Sequence, residues 1–169
     1  MTELRRAADL LDAATTILAR ERRRLAGVLT AEHELVLVGG SSVAGALTKG
    51  DVDLHLRVPE SAFPDAVAAL TEIYDVVLPE IWQPTLATFA VKAALPTGVA
   101  ATPIGSEHDV RFTRTWRRLA ADPALVDAYN ELKLRHRNDP REYELRKSAF
   151  FDKLAGKTRP AQSDQQNMT

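Results

Sequence analysis

The stretch from Leu35 to Val58, LVLVGGSSVAGALTKGDVDLHLRV, decides the fold. Leu35–Val38 is a short apolar run rich in β-branched residues, which is typical of a buried strand, and Gly39 and Gly40 end it. Asp51–Val58 then alternates polar and apolar residues, which predicts a second strand with one apolar face. We expect the two strands to pair across the glycine turn and its short linker.

Two carboxylates share the polar face of the second strand. Asp51 and Asp53 are two residues apart, so their side chains point the same way, close enough to hold one or two divalent cations. Glycines with small hydroxyl residues let backbone N–H groups approach a phosphate, and Mg²⁺ bridges carboxylates to substrate phosphates. The combination predicts a site for Mg²⁺ and ATP or another nucleoside triphosphate. The phosphate contacts are assigned to Gly39, Gly40, Ser41 and Ser42.

An amphipathic edge strand with a solvated polar face is the alternative to this site. It would be preferred for an isolated Asp-x-Asp, and the nearby glycine turn is what favours the triphosphate site. His55 lies on the same face as the carboxylates. It is a candidate base or partner of the carboxylates, although a solvated strand histidine is the favoured interpretation.

Length and composition indicate one globular domain of 169 residues with 45% hydrophobic and 27% charged residues. The net charge of −1 gives no electrostatic case for binding nucleic acid or a membrane surface. The absence of cysteine excludes disulfides, thiolate metal sites and cysteine nucleophiles. No apolar run approaches a membrane span and no signal-peptide core is present, so a cytoplasmic protein is expected. The domain is predicted over 1–155, and the polar segment 156–169 is predicted to be a disordered tail.

The remaining elements are predicted from periodicity, proline and capping residues. A helix is expected over 3–28, where the arginines near residues 20–24 are interpreted as a solvated helix end rather than a phosphate contact. A second helix follows Pro59, with Ser61 as N-cap and Pro64 in its first turn. Further strands are predicted at Tyr74–Leu78, Thr85–Ala94 and Val99–Ile104, after a turn at Pro96–Gly98. Further helices are predicted at Glu107–Ala121, Pro123–Arg137 and Pro140–Leu154, with Asp122 and Asp139 as N-caps.

The motifs resemble those of a known superfamily. Val38–Ser41 followed by Asp51–Leu54 resembles the glycine-serine and Asp-hydrophobic-Asp signature of the polymerase-β-like nucleotidyltransferases. Gly105-Ser106-Glu107, Tyr129-x-x-Leu132-Lys133 and Tyr143-x-x-x-Lys147 then resemble the GrpB family, a branch of that superfamily, over roughly residues 35–155. The fold class is therefore predicted as α/β (α+β), a nucleotidyltransferase-like small mixed β-sheet with an N-terminal helix and a helical C-terminal half.

Phosphoryl chemistry needs positioning and charge neutralisation, so cationic side chains should converge on the triphosphate. Lys49, Lys133 and Lys147 are the candidates, and all three stand at positions that fit the family pattern. For Lys133 and Lys147 the alternative is an ordinary surface lysine on a helix.

The chain also departs from the family pattern. Members usually carry His-x-His before the Gly-Ser-Glu turn, but this strand reads Val99–Thr102 without histidine. Catalytic nucleotidyltransferases usually have a third carboxylate on a later strand, and the candidates here are only Asp75 and Glu80. The predicted strands Thr85–Ala94 and Val99–Ile104 contain no acid. These departures leave the acceptor open.

Three functions are compatible with these residues. The preferred hypothesis is an Mg²⁺-dependent nucleotidyltransferase that transfers a nucleotidyl group from a nucleoside triphosphate to a small-molecule acceptor. Asp51 and Asp53 would be its metal ligands and catalytic residues. An ATP-dependent ligase that forms an amide on the same fold is the first alternative, and a non-catalytic nucleotide-binding module is the second. Nucleic-acid polymerisation is disfavoured by chain size and neutral charge.

Overall fold

The computed structural model describes residues 3–156, and the predicted tail lies almost wholly outside them. The helices of this part of the chain are α1 (Leu11–Val28), α2 (Phe63–Ile73), α3 (Glu107–Ala121), α4 (Pro123–His136) and α5 (Pro140–Leu154). The strands are β1 (Arg5–Arg6), β2 (Glu34–Val38), β3 (Leu47–Thr48), β4 (Val52–Val58), β5 (Asp75–Val76), β6 (Ala87–Val91) and β7 (Thr97–Pro103). Within residues 3–156, no helix combines the length and the apolar character needed to cross a bilayer.

Five strands form one mixed sheet in the order β2-β4-β7-β6-β5, and β1 pairs separately with β3. Strands β4 and β7 are parallel, whereas the other neighbours in the sheet are antiparallel. The predicted pairing across the glycine turn is confirmed, with Val38 opposite Asp53. The mixed sheet with a helical C-terminal half confirms the predicted fold class.

The alternation of β4 divides the molecule into a core side and a site side. Its apolar residues, from Val52 to Val58 at every second position, are buried against α1 and α2 in the main core. The opposite face carries Asp53, His55 and Arg57 and looks toward the C-terminal helices. Those helices form a second apolar cluster around Tyr129. The candidate site therefore lies where the polar face of β4 meets α3, α4 and α5.

The N-terminal helix is shorter than predicted. Residues 3–10 do not continue α1: Arg5–Arg6 is a strand that pairs with Leu47–Thr48, and the N–H of Ala7 donates to the carbonyl of Ala46 at 2.9 Å. Helical periodicity in an alanine-rich segment did not reveal this pairing because the partner strand is about 40 residues away in the chain.

Three other boundaries also differ. Ser61 is not the N-cap of α2, because it lies in a short 3-10 turn and the helix begins at Phe63, although Pro64 does fall in the first turn. The predicted strands at 74–78 and 85–94 are shorter, at Asp75–Val76 and Ala87–Val91. The predicted turn at 96–98 is wrong for its last two residues, since β7 begins at Thr97 to pair with β4.

The capping signals of the C-terminal helices are confirmed. The carboxylate of Asp122 accepts a hydrogen bond from the N–H of Ala124 at 3.0 Å, and that of Asp139 accepts from Glu142 at 3.0 Å. Ser106 caps α3 in the same way. These caps fix where α4 and α5 begin, and so they set the position of the lysines on both helices.

The arginines at the end of α1 are not a solvated helix end. Arg20 donates to the carbonyl of Lys92 at 2.8 Å, and Arg24 donates to that of Ile73 at 3.1 Å. Arg22 donates from Nε to the carbonyl of Leu35 at 2.9 Å. These contacts tie α1 to β2, to the segment after β6 and to the end of α2, and none of the three side chains lines the phosphate cavity.

We expect Arg22→Gln to lower the free energy of unfolding by about 1 kcal/mol, because the carbonyl of Leu35 loses its charged donor. Arg23 is exposed on the same turn, so Arg23→Gln serves as the control and should change stability by less than about 0.5 kcal/mol. Urea denaturation of the three proteins measures both values. Equal stability of the two variants would contradict the tethering role of Arg22.

Candidate active site

A basic cavity of about 120 Å³ lies between the glycine turn and the C-terminal helices. It collects most of the residues predicted for the site, which come from the turn, from β4 and its approach, and from α4 and α5. They are Gly40, Lys49, Asp51, Asp53, Lys133 and Lys147. We call this the phosphate cavity, since its cations outnumber its two carboxylates.

Gly39 has a backbone conformation that glycine adopts most readily, with φ of +76°. Its lack of a side chain is also a steric requirement. A Cβ at this position would lie 2.9 Å from both Cβ and Cγ of Asp53 and would meet the carboxylate oxygen even more closely. The glycine thus allows the Asp53 carboxylate to pack directly on the turn.

Gly40 follows in a short 3-10 turn, where a Cβ would lie 3.1 Å from Nζ of Lys133. The two serines after it hold the turn together. The Ser41 hydroxyl is buried and donates to the carbonyl of Asp51 at 2.9 Å, and that of Ser42 donates to the carbonyl of Gly39 at 2.7 Å. Direct contact of these hydroxyls with phosphate stays a prediction, whereas their role in joining the turn to β4 is visible in these bonds.

Lys133 is a buried part of the site and not a surface lysine. Its side chain is 6% exposed, Nζ donates to the carbonyl of Leu47, and it lies 3.9 Å from the centre of the Tyr129 ring. Burial lowers the pKa of Lys133 to about 8, and the nearby charge of Lys147 acts in the same direction. The negative charges of Asp51 and Asp53 raise the pKa of Lys133 and only partly offset the effect of burial.

Two further lysines share one aromatic partner. Lys49 lies 5.1 Å from the centre of the Tyr143 ring, and Lys147 lies 5.6 Å from it. Tyr143 and Tyr129 are hydrogen-bonded to each other, so the two rings form a wall that positions three ammonium groups. The sequence motifs contained both tyrosines, but no role was assigned to them. Their spacing of four residues from Lys133 and Lys147 on helices was the signal that could have revealed one.

Asn130 is another functional residue that sequence reasoning missed. Its side-chain nitrogen donates to the carbonyl of Gly45 at 2.8 Å, and its oxygen accepts from the N–H of Leu47 at 2.7 Å. Together with Lys133 it fastens α4 to the segment that follows the glycine turn. No local sequence pattern identifies an asparagine whose hydrogen-bond partners lie more than 80 residues away in the chain.

Asp53 has an environment that disfavours its charge. Loss of solvent around the carboxylate, together with the negative charge of Asp51, raises the pKa of Asp53 to about 6. The positive charges of Lys147 and Lys133 act in the opposite direction and only partly compensate. A divalent cation at this position would relieve that repulsion.

The donor set fits Mg²⁺ bound together with phosphate. Within residues 3–156, no three His, Asp or Glu side chains come together in a way that could hold a metal ion. Asp51 and Asp53 supply two carboxylates at one cavity. Since Mg²⁺ keeps water and substrate phosphates among its ligands, two protein carboxylates are sufficient for a metal that arrives with a nucleotide.

His55 is wholly buried, so its interpretation as a solvated strand histidine was wrong. Its Nε2 lies 2.8 Å from Oγ1 of Thr102 and 3.7 Å from a carboxylate oxygen of Asp109. Asp109 in turn accepts from Arg57 at 2.6 Å. Burial is the main cause that lowers the pKa of His55 to about 4, against the attraction of Asp109. His55 is thus a neutral buried side chain that packs between β4 and α3. It does not line the phosphate cavity.

The pKa of His55 predicts an acid-dependent loss of stability. Because the folded value lies below the ordinary 6.5, the unfolded chain binds a proton between about pH 6.5 and 4 that the folded chain does not. This contribution to stability is fully present above pH 6.5 and falls by about 1 kcal/mol between pH 7 and 5.5. His55→Asn should lack this slope, and comparing the two proteins by urea denaturation removes the contributions of other groups. Parallel pH profiles would refute the assignment.

Neither candidate for a third carboxylate lies at the site. Asp75 and Glu80 are exposed, and neither lines the phosphate cavity or the cleft beside it. The residue that pairs with Asp53 on the parallel strand β7 is Gly98, and the residue that pairs with His55 is Ala100. The residues of β7 beside the Asp53 carboxylate are therefore small and uncharged.

A second, larger cleft of about 410 Å³ adjoins the phosphate cavity, between the site face of the sheet and helices α3 and α5. Asp53 and Lys147 line both spaces, and Glu144 adds a second acid to the lining of the larger one. Trp116 lines the cleft while packing on Phe151, with ring centres 5.2 Å apart. No motif of the sequence indicated this cleft.

The fold is shared with a solved structure of known family. The crystal structure of the conserved protein GrpB from Enterococcus faecalis matches with a TM-score of 0.66 and 19% identity, over 85% of this chain and 91% of that one. The structure of Cid1 in complex with the UTP analog UMPNPP matches with a TM-score of 0.46 and 14% identity, over 79% of this chain and 44% of that one. At that level the second match adds nothing to the assignment.

Sequence comparison agrees with the first of these matches. A UPF0157 protein from Vibrio cholerae is 26% identical over 151 residues, which cover 88% of this chain and 80% of that protein. No protein-family model matches the chain. The resemblance to GrpB that the motifs indicated is therefore confirmed, and the chain has the fold of GrpB.

Proposed function

We propose that this chain is an Mg²⁺-dependent nucleotidyltransferase that uses a nucleoside triphosphate and a small-molecule acceptor. The observation that carries the proposal is the convergence of two carboxylates and three lysines on one cavity beside a glycine turn. Elements far apart in the chain supply these groups, so their meeting is a property of the fold. A solvated polar strand, the alternative for an isolated Asp-x-Asp, gives no reason for a lysine to be buried there.

The chain's own residues would act mainly by binding and orienting the triphosphate. The lysines on α4 and α5 and Lys49 supply positive charge, and the turn at Gly40 supplies backbone N–H groups. Lys133 is held by the carbonyl of Leu47 and by Tyr129, so its ammonium is already in place before a phosphate arrives. Such preorganisation is the main way in which proteins promote phosphoryl transfer.

Asp51 and Asp53 would hold Mg²⁺ together with oxygens of the triphosphate. When bound, the ion supplies charge neutralisation at the phosphates. Because Gly39 has no side chain, the Asp53 carboxylate has room beside the glycine turn, where it would act with Asp51 to hold the ion. The role of both acids is thus to set the line of attack.

In the transfer, a lone pair of the acceptor's hydroxyl oxygen or amine nitrogen forms a bond to the α-phosphorus. The bond from that phosphorus to the bridging oxygen of the β-phosphate breaks, and pyrophosphate leaves with the electron pair. The acceptor's proton passes to water in the open cleft. This account requires the leaving pyrophosphate to remain among the lysines of the phosphate cavity.

A non-catalytic nucleotide-binding module is the second candidate, and one observation favours it. The positions of β7 beside Asp53 and His55 are Gly98 and Ala100, where a third carboxylate would have to stand to assist the acceptor. The carboxylates and lysines of the phosphate cavity would nevertheless be sufficient to position a metal-bound triphosphate. This supports the enzyme as the first candidate. An amide-forming ligase would use the same cavity and differ in its products.

Phosphorus NMR of the reaction mixture separates these three functions. The protein is incubated with Mg²⁺ and ATP, and then with GTP, in the presence of pooled small alcohols, amines and carboxylic acids. Nucleotidyl transfer yields pyrophosphate and a new phosphodiester or phosphoramidate signal. Release of nucleoside mono- or diphosphate that depends on both an amine and a carboxylic acid, without a nucleotidylated end product, would support the ligase, and bound nucleotide without turnover would support the module. Either of those results would contradict the proposal.

A further inference from the structure

The cleft beside the phosphate cavity has a different chemical character. Its walls carry the rings of Phe112, Trp116 and Phe151, and its volume is about 410 Å³ against about 120 Å³ for the phosphate cavity. Its charged residues, Asp53, Arg111, Glu144 and Lys147, come from β4, α3 and α5, and the rest of the lining is mainly apolar. The cleft is thus suited to an apolar molecule of the size of one or two rings.

The floor of the cleft is open because its residues are small. Gly98 and Ala100 on β7 line it, next to Asp53 and His55 on β4. A Cβ on Gly98 would meet its nearest atom, the carbonyl oxygen of Phe89, at an ordinary 3.6 Å. The depth of the cleft at its floor therefore depends on the small residues of β7.

One polar group in the wall of the cleft lacks a partner. Thr115 is 3% exposed, and its Oγ1 is one of two buried side-chain atoms in residues 3–156 without a hydrogen-bond partner. Its neighbour Thr113 on the same helix donates to the carbonyl of Asp109 at 2.8 Å, as helical threonines commonly do. A buried hydroxyl without a partner is unfavourable, and a polar group of a bound molecule would supply the missing partner.

The two spaces meet at Asp53 and Lys147, and this junction determines how they would be used. In phosphoryl transfer the attacking and leaving groups lie roughly in line on opposite sides of the phosphorus. If pyrophosphate leaves into the basic cavity, the attacking group must approach from the other side of Asp53. That side is the apolar cleft.

We propose that the cleft binds the acceptor, and that the acceptor is a small apolar ring compound with a nucleophilic hydroxyl or amine and a second polar group that pairs with Thr115. This inference rests on the proposed function, since it assigns the second substrate of the same site. The cleft is assigned to the acceptor, and the base of the nucleotide is assigned to a place outside it.

The test uses tyrosol, a ring compound with two hydroxyl groups, and phenethyl alcohol, which lacks the phenolic one. Binding is followed by amide correlation NMR on the full chain, with Mg²⁺ and ATP present. We expect tyrosol to shift the signals of Ala100, Thr115 and Trp116 and to bind more tightly than phenethyl alcohol. Glycerol, which has hydroxyls but no ring, should shift none of them.

Two variants and one control assign the effect to the cleft. Ala100→Phe fills the floor and should weaken tyrosol binding at least about tenfold. Thr115→Val keeps the shape of the wall, so it should weaken tyrosol several-fold and leave phenethyl alcohol unchanged. Ala120→Phe, on an exposed position of α3, should change neither. Binding of Mg²⁺ and ATP, measured by calorimetry on each variant, reports whether the phosphate cavity is intact.

The proposal is overturned if tyrosol shifts no cleft signal, or if neither cleft variant weakens its binding. It is also overturned if adenosine displaces tyrosol, because the cleft would then hold the nucleoside of the nucleotide. Failure of the proposed function is a separate result. In that case the native chain would bind no Mg²⁺ and ATP, whatever the ring compounds do.

Discussion

Asp53→Asn is expected to weaken Mg²⁺-dependent nucleotide binding more than about 100-fold while making the metal-free chain more stable. The loss of binding follows because one of two carboxylate ligands is removed, and metal stabilisation of phosphates is worth several kcal/mol. Asparagine has the same shape, so the glycine turn beside it is not disturbed. Opposite effects on binding and stability are the signature of a residue whose charge is held in place for a ligand.

The gain in stability follows from the raised pKa of Asp53. With a folded value of about 6, the folded chain binds more protons than the unfolded chain between about pH 4 and 6, so stability falls as the pH rises through that range. Asparagine cannot ionise and avoids this loss. Because the carboxylate is partly exposed, we expect a gain of about 1 kcal/mol at neutral pH and almost none at pH 4.

Urea denaturation at both pH values, without metal, measures this gain, and calorimetry measures the binding. Asp127, an exposed acid on α4, provides the matched control: Asp127→Asn should change neither quantity. A loss of metal-free stability in Asp53→Asn, or unchanged nucleotide binding, would contradict the role given to the carboxylate.

The second large effect concerns the glycine on which Asp53 packs. Gly39→Ala should lower the free energy of unfolding by more than about 2 kcal/mol and abolish Mg²⁺-dependent nucleotide binding. The positive φ of +76° contributes part of this cost. The larger part comes from the new methyl group, which would collide with Cβ and Cγ of Asp53 and push the carboxylate away from the cavity.

Gly105 offers a control with a similarly positive φ and no collision. Its φ is +81°, and no atom lies within 4 Å of the position of an added Cβ. Gly105→Ala should therefore show only the conformational cost, about 1 kcal/mol, with normal nucleotide binding. If the two variants were equally destabilised and both bound nucleotide, the packing of Asp53 on Gly39 would not be important for the site.

Much of the fold and one part of the site could be predicted because their signals are local. The alternation of Asp51–Val58 and the glycines before it are consecutive in the chain, and they gave the correct strands and the pair of carboxylates. Proline and aspartate at the starts of α4 and α5 gave the helices that carry Lys133 and Lys147. The fold class followed from the motifs that resemble GrpB.

The errors arose where burial depends on distant segments. Neither the burial of His55 beneath α3 nor the bond of Arg22 to Leu35 can be read from neighbours in the sequence. The bond from the Ser41 hydroxyl to the carbonyl of Asp51, just before β4, was likewise not predicted. The apolar cleft was missed for the same reason, since seven separate segments of the chain line it.

Calorimetric titration with ATP, in the presence and absence of Mg²⁺, tests the central claim most directly when it is done on the native chain and on Asp51→Asn/Asp53→Asn. The account predicts binding by the native chain that requires Mg²⁺ and is lost in the double variant, whereas Mg²⁺ alone binds weakly because two carboxylates provide too few ligands. Binding that persists unchanged in the double variant, or the absence of binding in both proteins, would contradict the metal–triphosphate site.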